Sequence, residues 1–285
     1  MAVKKVLKTE NIIKISPEEN LTASLLKLKS SHDAAFVFNE KKEFLGVINP
    51  YYCIIKSSYP ANTKVKHCLH HPPRLHLDDS LIKTAQNFIE TKVHYLPVFD
   101  EKERFVGIVS ARRLLSYFLN DKEFNIKIKD FIKLKKRPLT TVDQNERIDN
   151  ILNIFKKTKY SKLVVVDSNN KLKGVLSYFD LISYLMTPKD RQNFGSRNGT
   201  KTSFYYLQAK HFMKRYVLTL NEEEFLTSVI KLILEKKIGS VVIVDKERKP
   251  LQIITTRDIL KFFINKEKAK QKPRFLSRFF SSFGV

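Results

Sequence analysis

The sequence contains no tryptophan, two cysteines and only seven glycines among its 285 residues. The cysteines, Cys53 and Cys68, form neither a CxxC pair nor a disulfide framework, so the chain suits a reducing compartment and we expect it to be cytoplasmic. No apolar run approaches the roughly 18 residues that a membrane span requires. Residues 1–14 contain lysines but lack the apolar segment of a signal peptide.

Catalytic and phosphate-loop motifs are also missing. The few glycines form neither a Walker A loop nor a GxGxxG fingerprint, and no HExxH motif occurs. No cysteine–base arrangement or pair of acids suggests catalysis, so we expect a protein that is not an enzyme. One cluster of potential zinc ligands occurs, but its adjacent histidines point apart in an extended segment, so we expect a connector and no metal. The cluster consists of His67, Cys68, His70, His71 and His76.

Acidic residues are scarce compared with basic ones. Lysine and arginine number 53 against 29 aspartates and glutamates, which gives a net charge of +24. Such a chain is attracted to polyanions, including nucleic acids, anionic membranes and nucleotides. Residues 188–215 and 261–285 each carry seven basic residues and one acidic residue, so half of the net charge lies in a connector and a tail. A lysine excess spread over solvated surfaces, with no dedicated partner, is the alternative.

Four copies of one strand–turn–strand pattern run along the chain. Each copy begins with a short apolar segment that ends in Asp or Asn, as expected for a buried strand closed by a turn. A second apolar run begins seven positions later, and this offset is the same in all four copies. The first runs end at Asn39, Asp100, Asp167 and Asp245, and the second runs open at Gly46, Gly107, Gly174 and Gln252. The pattern predicts four β-hairpins.

Helical segments precede and follow the hairpins. Apolar residues recur with helical spacing over 148–155 and 225–233. Capping patterns, in which a Glu follows three positions later, begin at Asp143 and Asn221. A short leading strand precedes each first helix. The repeated unit is therefore β-α-β-β-α, and the predicted fold class is α/β (α+β).

A single unit of about 50–60 residues buries too little surface to be stable alone. Pairing the units gives two domains, which we place at residues 11–120 and 138–265. Residues 121–137 form a basic linker between them. The longer step between the last two copies indicates an insertion at 188–208, whose Gly, Ser and Asn residues favour a loop. Residues 266–285 form a basic, aromatic tail.

The repeats resemble the CBS domain, named for cystathionine β-synthase. The shared features are the leading strand, the helix, a strand of the form h-P-V-h-D (h is apolar), and then G-h-h-S/T-x-x-D. Phe212 and Met213 match the lead-in that often precedes such repeats. The resemblance covers nearly the whole chain and implies that the four repeats pair into two Bateman modules. Such modules are typically regulatory, and many bind adenosine derivatives in clefts between the paired repeats.

The third and fourth repeats keep the S/T-x-x-D pattern, as Ser177 with Asp180 and Thr255 with Asp258. The Ser or Thr caps a helix whose first N–H groups can face a phosphate. A carboxylate three residues later can accept both hydroxyls of a ribose. The resemblance assigns this ribose contact to Asp180 and Asp258. A plain capping box that needs no ligand is the alternative.

A phosphate group needs cations. CBS repeats often carry a basic side chain at the start of the first hairpin strand, where the third repeat has Lys162. Lys162 is the first candidate for a phosphate contact and Arg257 the second, with solvated surface charge as the alternative. Thr140 and Thr219 are candidates beside the adenine. Because few cations are visible, a monophosphate or an uncharged adenosyl compound fits better than a triphosphate.

The first pair of repeats departs from this pattern. The positions of the Ser or Thr and the Asp hold Asn49 and Tyr52 in the first repeat, and Ser110 and Arg113 in the second. Neither repeat has the carboxylate. We expect this pair to be structural or to provide a surface for a partner.

The leading hypothesis is a non-enzymatic sensor that requires no cofactor and binds an adenosine-containing ligand in the second pair. AMP, ADP, ATP and S-adenosylmethionine stay open as ligands, and an unidentified protein partner receives the signal. The alternative is a nucleic-acid-binding protein that uses the basic connector and tail on a CBS scaffold. A structural subunit with inactive sites is a third reading. Homodimer formation and a peripheral membrane contact of the tail also stay open.

Overall fold

The structure is a computed structural model that describes residues 2–28, 34–57, 59–60, 62–91, 93–135, 137–181 and 204–271. Within these residues the strands form four three-stranded sheets. In each sheet a leading strand pairs in parallel with the first hairpin strand, which pairs antiparallel with the second. The predicted β-α-β-β units are present, and the α/β (α+β) fold class is confirmed. Most of the 188–208 insertion and the tail beyond residue 271 lie outside the described residues.

The first two repeats differ in the element that follows the hairpin. Repeat 1 consists of β1 (Lys14–Ile15), α1 (Leu21–Leu26), β2 (Ala35–Phe38), β3 (Phe44–Ile48) and a π-helical segment, Tyr51–Lys56. Repeat 2 consists of β4 (Leu75–His76), α2 (Leu81–Glu90), β5 (Tyr95–Phe99), β6 (Phe105–Ser110) and α3 (Ala111–Leu115).

The last two repeats follow the same order and are preceded by a further helix, α4 (Ile128–Leu134). Repeat 3 consists of β7 (Thr141–Asp143), α5 (Ile148–Thr158), β8 (Lys162–Val166), β9 (Leu172–Ser177) and a helical segment described over 178–181. Repeat 4 consists of β10 (Thr219–Asn221), α6 (Leu226–Glu235), β11 (Ser240–Val244), β12 (Pro250–Thr255) and α7 (Thr256–Gln271).

The patterns at Asp143 and Asn221 lie in the turns before α5 and α6, so their prediction as helix caps was wrong. Oδ1 of Asp143 accepts a hydrogen bond from the backbone N–H of Asn145 at 2.7 Å. Oδ1 of Asn221 accepts one from the N–H of Glu223 at 2.9 Å. Both helices then begin after an extended residue that has no side-chain cap. The short polar side chains of Asp143 and Asn221 form Asx turns that end the leading strands. These turns have the same residue spacing as the helix caps that the sequence predicted.

Each pair of repeats buries its two sheets against each other. In repeats 1 and 2 the contact is aromatic, with ring centroids of Phe36 and Phe38 at 5.9 Å and 5.0 Å from that of Phe105. In repeats 3 and 4 it is aliphatic, and Val164 packs with Val242. We call repeats 1 and 2 the first module and repeats 3 and 4 the second module.

One of the hydrophobic clusters spans the two modules. Helices α2 and α3 of repeat 2 pack against α6 and α7 of repeat 4, so that buried residues such as Phe88 and Leu114 share a cluster with Ile230 and Ile259. Burial of this apolar surface stabilises the joint fold of both modules.

The segment that leads into each repeat packs on the other repeat of its pair. These lead-in segments are residues 2–8, 64–70, 127–135 and 208–214. Isolated backbone bridges hold each lead-in segment on the other repeat of its pair. They are Ala2–Ser80, Lys8–Ile108, Lys64–Asn20, His70–Val47, Gln208–Arg147, Lys214–Val175 and Lys127–Phe225. Part of the segment interpreted as a linker, 121–137, therefore pairs with repeat 4 through Lys127.

Three of the lead-in segments end in a close backbone approach. Lys8 and Ile108 exchange two backbone hydrogen bonds, of 2.8 Å and 2.9 Å, directly after Gly107. A Cβ atom on Gly107 would lie 2.6 Å from the carbonyl oxygen of Lys8. Gly174 has the same position in repeat 3, where a Cβ atom would lie 2.9 Å from the carbonyl oxygen of Lys214. These contacts leave no room for a side chain.

The substitution Gly107→Ala should lower the free energy of unfolding by about 1–3 kcal/mol, because the added methyl group displaces backbone that is already in contact. Urea unfolding measures the change, and Lys102→Ala, in the exposed turn of the same hairpin, is the control. Equal stabilities of the two variants would show that the approach at Gly107 carries no constraint.

Candidate functional site

A cleft lies between repeats 3 and 4 of the second module, beside Asp258. It encloses about 810 Å³, including the space at its mouth that is open to solvent. Its walls come from the start of repeat 3, the turn before β8, the end of β12 and the first turns of α7. The lining residues are His94, Lys135, Arg137, Pro138, Thr140, Lys159, Tyr160, Ser161, Lys162, Tyr178, Gln252, Ile253, Thr255, Arg257, Asp258 and Lys261. We call this space the Asp258 cleft.

Within the part of the chain that the structure describes, Asp258 accepts hydrogen bonds through one of its two carboxylate oxygens. Oδ2 accepts hydrogen bonds from the N–H of Thr255 at 2.9 Å and from its hydroxyl at 2.7 Å. Oδ1 accepts no hydrogen bond from any residue in the described part of the chain, and the side chain is 17% exposed. The capping box and a ligand contact therefore do not exclude each other, because the cap needs one oxygen and leaves the other.

Lys135 is buried beside the carboxylate. Its ammonium lies 3.2 Å from Oδ2 of Asp258, and its side chain is 12% exposed. It also donates to Oε1 of Gln252 at 3.1 Å and to the carbonyl oxygen of Ile253. Burial lowers the pKa of Lys135, and the negative charge of Asp258 opposes that shift. Lys135 is absent from the sequence-based candidates because it lies outside the repeated pattern.

In repeat 4 the side chain of Gln252 takes part in the hydrogen bonds between the lead-in segment and the hairpin. Its Oε1 accepts from the N–H of Ile253 at 3.0 Å, and its Nε2 donates to the carbonyl oxygen of Arg137 at 3.2 Å. The carbonyl of Ile253 accepts from Lys135. In repeats 1 to 3, the residue at the position of Ile253 pairs with the lead-in backbone. In repeat 4 side chains make these bonds, and the Asp258 cleft lies beside them.

The Asp258 cleft is strongly cationic. Its lining contains six lysine and arginine side chains against the single carboxylate of Asp258. Burial lowers the pKa of Lys261, and the positive charges of Arg137 and Arg257 lower it further. The sequence pattern indicated only two of these six cations, Lys162 and Arg257.

Arg257 joins the cleft wall to the first module. Its Nη1 donates to the carbonyl oxygens of Phe88 at 3.1 Å and Thr91 at 2.7 Å, and its Nη2 donates to that of Ile89. These are the last carbonyls of α2, where a cation is favoured by the helix dipole. The guanidinium that was a candidate for phosphate therefore caps a helix of repeat 2.

Lys162 lies between the two repeats of the second module. Its ammonium donates to Oγ of Ser240 at 2.9 Å and lies 3.3 Å from the position that a Cβ atom of Gly239 would take. Burial lowers the pKa of Lys162 to about 8, and the nearby carboxylate of Asp180 opposes the shift.

Asp180 is engaged at both of its oxygens. Oδ2 accepts from the N–H and the hydroxyl of Ser177 at 2.8 Å and 2.5 Å, and Oδ1 lies 3.4 Å from the ammonium of Lys214. Thr219 pairs with Val242 at the start of β10. Of the eight residues proposed from the sequence, the Asp258 cleft brings together Thr140, Lys162, Thr255, Arg257 and Asp258. Ser177, Asp180 and Thr219 do not line it.

The matching positions of repeat 1 are filled by protein. Oδ1 of buried Asn49 accepts from the N–H groups of Tyr51 at 2.9 Å and Tyr52 at 3.4 Å. The ring of Tyr52 stacks on that of His70 with centroids 3.6 Å apart. Burial lowers the pKa of His70 to about 4, and His71 contributes to the shift. Within the described ranges, no group of three His, Cys, Asp or Glu side chains is arranged to hold a metal ion.

The family of the chain follows from its sequence. The family model of the CBS domain matches residues 65–120, 128–187 and 209–265, which are more than half of the chain. The chain therefore belongs to the CBS domain family. These matches correspond to repeats 2, 3 and 4, and the sheet of repeat 1, which the family model does not match, has the same strand order. No helix among the residues that the structure describes is long and apolar enough to cross a membrane.

Solved structures share this fold. Protein MJ1225 from Methanocaldococcus jannaschii is 19% identical, with a TM-score of 0.76 over 92% of this chain and 100% of its own. An uncharacterised conserved protein from Pyrococcus horikoshii is 18% identical, with a TM-score of 0.59 over 92% and 99%.

A further match is to the CBS domain pair of protein MJ0100, solved with 5-methylthioadenosine and S-adenosyl-L-methionine. It is 25% identical, with a TM-score of 0.39 over 50% of this chain and 98% of its own. The comparison with curated proteins gave no match.

The stability of the protein should depend on pH through Lys162. Its pKa falls from 10.5 to about 8 on folding, so the unfolded state binds more protons between these values, and the free energy of unfolding rises with pH across this window. The stability of the wild type relative to Lys162→Met should therefore increase from pH 8 to pH 10.5. Thermal unfolding measures it, with Lys171→Met, in an exposed turn, as the control. A constant difference between wild type and Lys162→Met would contradict the burial of a charged ammonium at this position.

Proposed function

We propose that the protein is a non-enzymatic regulatory protein that binds an adenosine-containing ligand in the Asp258 cleft and signals its occupancy to a protein partner. The observation that carries the proposal is the second oxygen of Asp258, which is unused within the described protein and lies in a cationic cleft between paired CBS repeats.

The carboxylate of Asp258 is suited to a ribose. Its Oδ1 is available for a ribose hydroxyl, and a hydrogen bond to a carboxylate is stronger than one between neutral groups. The bonds from Thr255 to Oδ2 hold the carboxylate at the start of α7, so that little side-chain freedom is lost on binding.

The remaining lining residues suit the other parts of a nucleotide. Tyr160 and Ile253 offer apolar surface to an adenine ring, and Thr140 offers a hydroxyl. Arg137 and Lys261 offer positive charge to phosphate. Because these cations repel each other, an anionic ligand relieves the repulsion, and AMP, ADP or ATP fits better than S-adenosylmethionine, whose sulfonium is positive.

The cleft also has contacts through which occupancy can reach the rest of the chain. Lys135 and Arg137 belong to the segment that connects the modules, and Arg257 holds the end of α2 in the first module. A ligand that changes the position of these residues changes the relative stability of module arrangements. A partner protein that binds one arrangement better would read the change.

Nucleic-acid binding is the second candidate, and the net charge of +24 favours it. Fluorescence anisotropy with a short mixed-sequence RNA and DNA at two salt concentrations tests it, because binding through phosphate contacts weakens steeply with salt. Salt-sensitive binding of the polynucleotides, together with no binding of adenosyl compounds, would replace the sensor proposal.

Isothermal titration calorimetry with AMP, ADP, ATP, methylthioadenosine and S-adenosylmethionine tests the sensor proposal. The substitution Asp258→Asn keeps the size of the side chain and removes its charge, so it should weaken the tightest of these ligands about tenfold or more. Asp180→Asn is the matched substitution at the same position of repeat 3, and it should weaken the affinity much less because Asp180 does not line the cleft. Equal affinities of wild type and Asp258→Asn, with both folded, would exclude this cleft.

A further inference from the structure

We propose that the chain's own Lys162 closes the second cleft of repeats 3 and 4, so that this module takes one adenosyl ligand instead of two. The class of ligand rests on the proposed function, whereas the closure rests on the positions of Lys162 and Asp180.

The internal repeat defines where the second cleft lies. When repeats 3 and 4 are aligned with each other, Asp180 and Asp258 are equivalent, since each carboxylate follows its strand-ending Asp by 13 positions. In the same alignment, Lys162 at the start of β8 is equivalent to Ser240 at the start of β11. The second cleft therefore lies between Asp180 and the residues Gly239 and Ser240.

The side chain of Lys162 lines the Asp258 cleft, and its ammonium reaches across to the wall of the second cleft. It donates to Oγ of Ser240 at 2.9 Å, and it lies 3.3 Å from the position of a Cβ atom that Gly239 lacks. The absence of a side chain at Gly239 gives the lysine room to reach across from repeat 3. The corresponding position in repeat 4 is Ser240 itself, whose short side chain cannot reach into the Asp258 cleft in the same way.

The carboxylate of the second cleft is also satisfied internally. Both oxygens of Asp180 have partners, since Oδ2 accepts from Ser177 and Oδ1 forms an ion pair at 3.4 Å with Lys214, whose side chain is exposed. Asp180 is 12% exposed. Its negative charge stabilises the buried ammonium of Lys162, as the direction of its effect on the lysine pKa indicates. Asp258 differs because its Oδ1 stays available.

Calorimetric titration with AMP tests the closure. Wild type should bind one AMP in the second module, and Asp258→Asn should reduce this binding. In the Asp258→Asn background, Lys162→Ala should add one AMP site, because the space of the lysine side chain becomes available to the ligand. Adding Asp180→Asn should remove that site. Lys171→Ala is the control and should add none.

A ligand-independent measurement separates this proposal from the proposed function. Lys162→Ala leaves a space that faces Ser240 and Asp180, so n-propylammonium should raise its melting temperature by binding the folded state. Wild type and the Lys162→Ala, Asp180→Asn variant should not respond. If wild type binds no AMP but Lys162→Ala responds to n-propylammonium, the proposed function fails and the closure stands. If Lys162→Ala gains neither an AMP site nor this response, or if wild type binds AMP at Asp180, the closure is overturned.

Discussion

The backbone of three of the four lead-in segments pairs with the second hairpin strand of the partner repeat, and a glycine lies directly before the paired residue of that strand in each case. At Gly107 and Gly174 the approach leaves no room for a Cβ atom. At the same position of repeat 4, Gln252 bonds to the backbone of Ile253 and Arg137 with its own side chain. Gln252 lines the Asp258 cleft, next to the carboxylate of Asp258.

Gln252, which stands where the other repeats have glycine, also determines which charged groups lie beside Asp258. Lys135 bonds to Gln252, to the carbonyl of Ile253 and to Asp258, so a buried ammonium lies where the other repeats have backbone pairing. A buried charge of this kind needs a partner, and Asp258 supplies it through one oxygen. The repeat 3 carboxylate, Asp180, has both oxygens engaged. Two positions that are equivalent in sequence therefore differ in what they can still bind.

The sequence was sufficient for features that depend on local spacing. The constant offset of seven residues predicted every hairpin, and the three-residue spacing of Thr255 and Asp258 predicted their mutual hydrogen bonds. It was insufficient where contacts join distant segments. The guanidinium of Arg257 bonds to a carbonyl 166 residues away, and the ammonium of Lys135 to a side chain 117 residues away. Such contacts arise from the exchange of lead-in segments and the packing of modules, which no periodic pattern encodes.

The most direct measurement is a crystal structure of the full chain soaked with AMP. We expect one AMP in the second module, with a ribose hydroxyl on Oδ1 of Asp258 and the phosphate near Arg137 and Lys261. The ammonium of Lys162 should stay on Ser240. An AMP bound at Asp180 or in the first module, with the Asp258 cleft empty, would contradict the assignment of this cleft as the ligand site.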